Sequence, residues 1–126
     1  MVGDHWEGIE ATEWEIEAPD AADVERAVGR LDAVVYTLVI LVAGAEHHLT
    51  VGGGAGTYVV AVTFDNQVFF TLLRSEPAEG IVMVNAGGQE GDYPAEQVVG
   101  ATQALQAARY FLLTGGRDDT QQWAQS

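Results

Sequence analysis

The stretch LTVGGGAGTYVV, residues 49–60, places four glycines between two runs that are typical of β-strands. A glycine-rich loop after a strand can bind phosphate when its backbone N–H groups and the N-terminus of a following helix converge on the anion. Here the following segment, residues 57–64, is β-branched and aromatic and predicts a strand, and the chain contains no lysine. We therefore interpret the glycines as a flexible loop between two strands, in which they supply positive φ angles.

More strands are predicted around this stretch. Residues 33–43 are apolar at nearly every position, which is typical of a central strand, and residues 47–51 follow as its neighbour. Two alternating runs on either side of Asp65-Asn66-Gln67 predict a hairpin. Residues 79–86 form a later strand. In the N-terminal region a half-buried strand is predicted, because the acids at positions 13, 15 and 17 alternate with Trp14 and Ile16.

Two helices complete the pattern. Asp20 is placed to cap a short helix that has Asp23 in its first turn and an apolar face at Val24, Ala27, Val28 and Leu31. Pro94 suits the first turn of a longer helix that ends near Gly115, with a face at Val98, Ala101, Leu105, Ala108 and Leu112. The order predicts one α+β domain over residues 1–126, with a mainly antiparallel sheet of about six strands and two helices packed on it.

The bulk composition limits the compartment and the partners. The chain has 126 residues, no cysteine and a net charge of −14. Its N-terminus lacks the basic and apolar regions of a signal peptide, and its longest apolar run is too short to span a bilayer, so we expect a soluble cytoplasmic protein. Such a negative field repels nucleic acid and anionic lipid and attracts basic partners. We therefore predict no direct binding to nucleic acid or membrane.

The histidines, serines and carboxylates of the chain do not form a recognisable catalytic or metal-binding motif. His47 and His48 are neighbours on a predicted strand and point to opposite faces, so they do not readily bind one metal ion. Neither Ser75 nor Ser126 lies in a nucleophile motif. Close pairs of carboxylates are expected by chance in so acidic a chain. We predict no enzyme, no cofactor and no metal.

A binding surface is the remaining interpretation. One candidate region is the outward row of acids Glu13, Glu15 and Glu17, together with Trp6, the tryptophan that we expect to be exposed. The other is a glycine-flanked acidic loop, residues 87–93, that ends in a tyrosine. The candidate partner-binding residues are Trp6, Glu13, Glu15, Glu17, Glu90, Asp92 and Tyr93.

Several of these features occur together in a known family. The residues concerned are the strand ending at Gly52, the hairpin after it, the acidic segment with Tyr93-Pro94, the helix with Ala104, Ala108 and Phe111, the pair Gly115-Gly116, and Trp123. Over residues 34–125 this pattern resembles the immunity protein 1 family of bacterial polymorphic toxin systems.

The resemblance implies a cytoplasmic α+β protein that binds a cognate toxin one-to-one, often a nucleic-acid deaminase, and blocks its active site without a cofactor. A toxin that acts on nucleic acid should have a basic substrate groove, which an acidic surface can occupy. Two alternatives stay open at this point. One is an acidic adaptor or chaperone for a basic secreted protein, and the other is a small hydrolase that uses carboxylates.

Overall fold

The structure is a computed structural model that describes residues 1–126. Its elements, in chain order, are β1 (Val2–Glu7), β2 (Glu10–Glu15), α1 (Ala21–Arg30), β3 (Leu38–Gly44), β4 (His47–Gly54), β5 (Thr57–Thr63), β6 (Phe69–Leu72), β7 (Ile81–Ala86), β8 (Gln89–Pro94), α2 (Ala101–Thr114) and β9 (Trp123–Gln125). A single 3-10 turn, Ala95–Gln97, precedes α2.

The α+β architecture predicted from the sequence is confirmed. One sheet has seven strands in the order β2-β1-β3-β4-β5-β6-β9, and β7 and β8 form a separate two-stranded sheet. Every pairing is antiparallel, including those of the apolar strand β3. Strands outnumber the expected six because the N-terminal region is a hairpin turning at Gly8 and Ile9, the acidic segment before Pro94 is a strand, and the C-terminal tail pairs with β6.

The glycine-rich stretch is part of a hairpin and not a flexible loop. Strand β4 continues through Gly54, and only Ala55 and Gly56 form the turn, with φ angles of 56° and 95°. Positive φ at both turn residues is the type I′ geometry that suits the twist of a hairpin. A Cβ atom at Gly52 would lie 2.5 Å from the Cβ of Ala86, and one at Gly53 would lie 2.4 Å from the carbonyl oxygen of Thr57. The glycines therefore permit close packing within the strand.

Both helices pack on one face of the seven-stranded sheet. Val24, Ala27 and Val28 of α1 are buried in the same cluster as Val39 and Val60 of the central strands. The predicted cap of α1 is present, because the carboxylate of Asp20 accepts from the backbone N–H of Asp23 at 2.8 Å and the reciprocal bond is also made. This capping box fixes where the chain turns into the helix.

Helix α2 begins later than the sequence pattern suggested. Pro94 ends β8, and the chain passes through the 3-10 turn before α2 begins at Ala101. The buried face is consequently shifted to Ala104, Ala107, Ala108 and Phe111, whereas Ala101 is exposed. The end of α2 agrees with the sequence, since Gly115 adopts a φ of 69° and its N–H donates to the carbonyl oxygen of Phe111. Neither helix is long and apolar enough to cross a membrane.

Candidate partner-binding surface

All of the arginines lie outside the strands, whereas acidic residues occur both in the strands and outside them. No strand contains an arginine, and the acidic residues of the strands are Asp4, Glu7, Glu10, Glu13, Glu15, Glu90 and Asp92. The arginines lie on the two helices or in the segments after β6 and α2. Three of the five form ion pairs with nearby acids, which neutralises them locally. The strand acids are thus confined to the N-terminal hairpin and β8, and none of them pairs with an arginine.

The N-terminal hairpin presents two of its three predicted acids on one face. Trp14 pairs with Gly3, which pairs with Val39 of the buried face, so Trp14 lies on the helix side of the sheet. Glu13 and Glu15 alternate with it and lie on the opposite, open side. Glu17 lies beyond the end of β2, so it does not continue the row as the alternation suggested. The acidic row on the strand is thus shorter than expected.

Trp6 is half-buried and not the exposed tryptophan that was expected. Its indole N–H donates to the carboxylate of Asp4 at 2.8 Å. Its ring covers Gly88, where an added Cβ would lie 1.9 Å from the ring atom Cζ2. Trp6 therefore links the N-terminal hairpin to the turn of the second hairpin.

Asp4 and Thr37 hold this junction together. The buried carboxylate of Asp4 accepts from the backbone N–H groups of Thr37 at 2.7 Å and Leu38 at 2.9 Å, and from the hydroxyl of Thr37. The same hydroxyl accepts from the N–H of Gly88 at 2.9 Å. Because a buried carboxylate needs several donors, this network positions β1, the start of β3 and the β7–β8 turn relative to one another.

The second hairpin separates the other three predicted residues. Glu90 and Asp92 pair across from Asn85 and Met83, whereas Tyr93 pairs with Val82 on the other face of the hairpin. The outer face carries the acids beside Met83 and Ile81, whose side chains are 60% and 67% exposed. Tyr93 faces the large sheet and lines a small cavity between sheet and hairpin. Sequence reasoning grouped these three residues because it treated the segment as a loop.

The floor of that cavity was not found from the sequence. It is formed by Thr50, Ala61 and Thr71, which are cross-strand partners on β4, β5 and β6. The sequence does contain a pattern that indicates this floor. Thr50 lies between the buried residues Leu49 and Val51, and Ala61 lies between the buried residues Val60 and Val62. Small and polar residues on the far side of buried strands indicate a sheet face that no helix covers.

The carboxyl groups with shifted pKa values lie elsewhere and serve the fold. The pKa of Asp32 is lowered by the backbone N–H groups of Tyr36, Val34 and Val35, and that of Asp65 by those of Val68 and Gln67. Burial raises the pKa of Asp118, but hydrogen bonds from Thr120 and Gln106 outweigh it and hold the pKa below the usual range. Each of these groups stabilises a turn.

The histidines do not converge. The ring of His47 packs edge-on against Phe64 and Phe111, and its Nε2 lies 2.5 Å from the carbonyl oxygen of Gly115. His48 lies on the next position of the strand and faces the open side. No group of three or more His, Asp or Glu side chains is arranged to hold a metal ion.

The comparison with protein families gives one match. Residues 12–125 match the family Immunity protein Imm1, and this range includes both acidic hairpins except for β1, the turn after it and the first two residues of β2. The chain belongs to the Imm1 family. No curated protein matches the sequence significantly. Membership confirms the resemblance seen in the sequence, and the matched range also includes most of β2 and the whole of α1.

Proposed function

We propose that this Imm1 protein binds and neutralises a cognate bacterial toxin, and that it acts by binding and not by catalysis. The observation that carries the proposal is the family match over residues 12–125. A toxin with an active site inside the producing cell must be blocked before it meets its substrate, and one-to-one occlusion of that site is sufficient.

The charge distribution supports a basic partner. The strands carry acids and no arginine, and the whole chain has a net charge of −14. An acidic protein speeds its own encounter with a basic one and can follow a groove that evolved to bind phosphates. We therefore propose a nucleic-acid-targeting toxin domain of the deaminase type as the partner, with its basic groove covered by the acidic surface. Because the substrate of such a toxin is in the cytoplasm, we place the complex there.

The partner-binding residues are proposed to act in two ways. Glu13, Glu15, Glu90 and Asp92 attract the partner over distance, with Glu17 adding to the same field. Trp6 and Tyr93 act at short range, Trp6 by holding the two hairpins together and Tyr93 through its cavity.

Co-expression tests this function directly. The C-terminal domain encoded beside this protein is expressed in cells with and without it, and survivors are counted. We expect death in its absence and rescue in its presence. A toxic domain that kills equally in both arms contradicts immunity. An expressed domain that is harmless but still binds the protein favours the adaptor or chaperone, which shares the acidity without blocking an active site.

A further inference from the structure

A row of uncharged residues crosses the open face of the large sheet. The row consists of six cross-strand partners, Val2, Ile40, Thr50, Ala61, Thr71 and Ala124, and the acid Glu15 on β2 pairs with Val2 at its end. None of the seven is buried, although most belong to interior strands of the sheet. Val42, on the same face of β3, is 57% exposed. The helices cover the other face, so this one is covered only where the β7–β8 hairpin lies on it.

Beside the hairpin this face contains a partly open cavity of about 220 Å³. Its apolar lining comes from Val59, Ala61 and Ala86. Its polar lining comes from Thr50, Thr71, Tyr93 and Gln97, and none of these side chains forms a hydrogen bond within the chain. The cavity thus combines apolar walls with unused hydrogen-bonding groups.

We propose that the toxin domain docks on this face and inserts one arginine or lysine side chain into the cavity. The inference rests on the proposed function and adds the site at which the partner binds. A basic side chain has an apolar stem that fits against Val59 and Ala61 and a cationic end that only donates hydrogen bonds. The hydroxyl groups of Thr50 and Thr71 can accept from it, and the ring of Tyr93 offers a cation–π contact.

The surroundings favour a basic occupant over an apolar one. Protein interfaces are depleted of charge at the centre and polar at the rim. Here the uncharged row is the centre, and Glu15 ends it at the β2 edge, three strand spacings or about 14 Å from Thr50 in the cavity. Glu13 extends this acidic edge on β2, Glu90 and Asp92 lie on the outer face of the second hairpin, and no arginine lies on any strand. The cavity lining itself is uncharged. The acids at the β2 edge and the net charge of −14 therefore favour a basic partner on this face, and the hydroxyl groups of the cavity supply acceptors for one of its cationic side chains.

The first test removes acceptors without changing shape. In the double variant Thr50→Val and Thr71→Val, two hydroxyl groups are replaced by methyl groups, and valine is favourable in strands. We expect the Kd for the toxin domain to rise about tenfold, with an unchanged melting temperature. Thr12→Val is the matched control, because Thr12 is an exposed strand threonine on the helix side of the sheet. It should leave the Kd unchanged.

The second test fills the cavity. Ala61→Leu places a larger side chain in the space that the partner would occupy, and we expect at least about a tenfold rise in Kd. Pairing the Thr50→Val, Thr71→Val variant with single alanine substitutions of the toxin's arginines, lysines and large apolar residues in double-mutant cycles should identify one coupled residue, an arginine or a lysine. Coupling to an apolar toxin residue alone would overturn the basic occupant.

The outcomes separate this inference from the function on which it rests. If the wild-type protein binds and neutralises the toxin but all cavity variants bind equally well, the docking site is wrong and the function stands. If the wild-type protein does not bind the toxin, the proposed function fails. If the isolated chain is a dimer that Ala61→Leu makes monomeric, a second copy occupies the face and the toxin does not.

Discussion

Gly54, the last residue of β4, lies directly against the backbone of Leu31 at the end of α1. A Cβ atom at Gly54 would lie 2.5 Å from the carbonyl carbon of Leu31 and 2.5 Å from the backbone nitrogen of Asp32. Gly54 also has a φ angle of 138°, which side chains rarely adopt. The glycine-rich stretch therefore joins the sheet to the first helix through backbone contact that leaves no room for a side chain.

Gly54→Ala should destabilise the fold by about 2–5 kcal/mol, since backbone strain adds to a clash with atoms that cannot rotate away. Urea unfolding measures this effect. Two matched substitutions isolate its cause. Gly56 has a φ of 95°, but no atom lies near the position of an added Cβ. Gly56→Ala should therefore lower the free energy of unfolding by only about 1 kcal/mol. Gly29→Ala lies in a helix with open space and should stabilise by about 0.5–1 kcal/mol. Equal losses at Gly54 and Gly56 would show that contact with Leu31 is unimportant.

Asp4→Ala should destabilise by about 3–5 kcal/mol because it leaves the buried donors of Thr37 and Leu38 without their acceptor. Calorimetry or urea unfolding measures the loss. Glu10→Ala, an exposed acid of the same hairpin, should change stability by less than about 0.5 kcal/mol. Asp4→Asn should recover part of the loss, since its amide oxygen can still accept. A stable Asp4→Ala variant would mean that the hairpins dock without this carboxylate.

Asp118 should make stability depend on pH. Its folded pKa lies below the ordinary aspartate value of 3.8, so the native state binds fewer protons than the unfolded chain near that pH. The stabilisation is complete above the unfolded pKa and is lost as the pH falls from about 5 through the folded value. Urea unfolding at pH 7, 5, 4 and 3 should show the decline.

The Asp118→Asn variant should be less stable at pH 7 by about 1–3 kcal/mol, because donors from Gln106 and Gln121 meet an amide in place of a carboxylate. The difference in the free energy of unfolding between Asp118→Asn and the wild-type protein should become smaller towards pH 3. Asp119→Asn, at an exposed neighbour, is the control and should follow the wild-type profile. A constant gap at every pH would show that the charge of Asp118 does not contribute.

Glu13→Gln with Glu15→Gln should slow association with the toxin about three- to tenfold at low salt and reduce the dependence of the on-rate on ionic strength. Stopped-flow or surface-binding kinetics measures both quantities. The control is Glu25→Gln with Asp119→Asn, which removes the same charge from acids paired with Arg109 and Arg117. If both pairs slow association equally, net charge matters and the open face has no special role.

The sequence by itself determined the local structure wherever neighbouring residues decide it. Asp20 and Asp23 define the start of α1, Gly115 the end of α2, and Asp65-Asn66-Gln67 the turn of the β5–β6 hairpin, because each acts on backbone groups a few residues away. Alternation placed Glu13 opposite Trp14 for the same reason. The charge was likewise a property of the sequence, and so was the resemblance that the Imm1 match confirmed.

Only the tertiary structure decided which strand faces stay open and which residues meet across the chain. Tyr93 and Glu90 lie on opposite faces because their segment pairs with β7 as a strand and is not the loop that was expected. The packing of this hairpin on the large sheet then covers the face that carries Tyr93. Trp6 is covered because Gly88 approaches it from more than eighty residues away. Glycines that suit a mobile loop instead serve close packing, since a missing side chain permits flexibility in an isolated strand but contact where another backbone arrives.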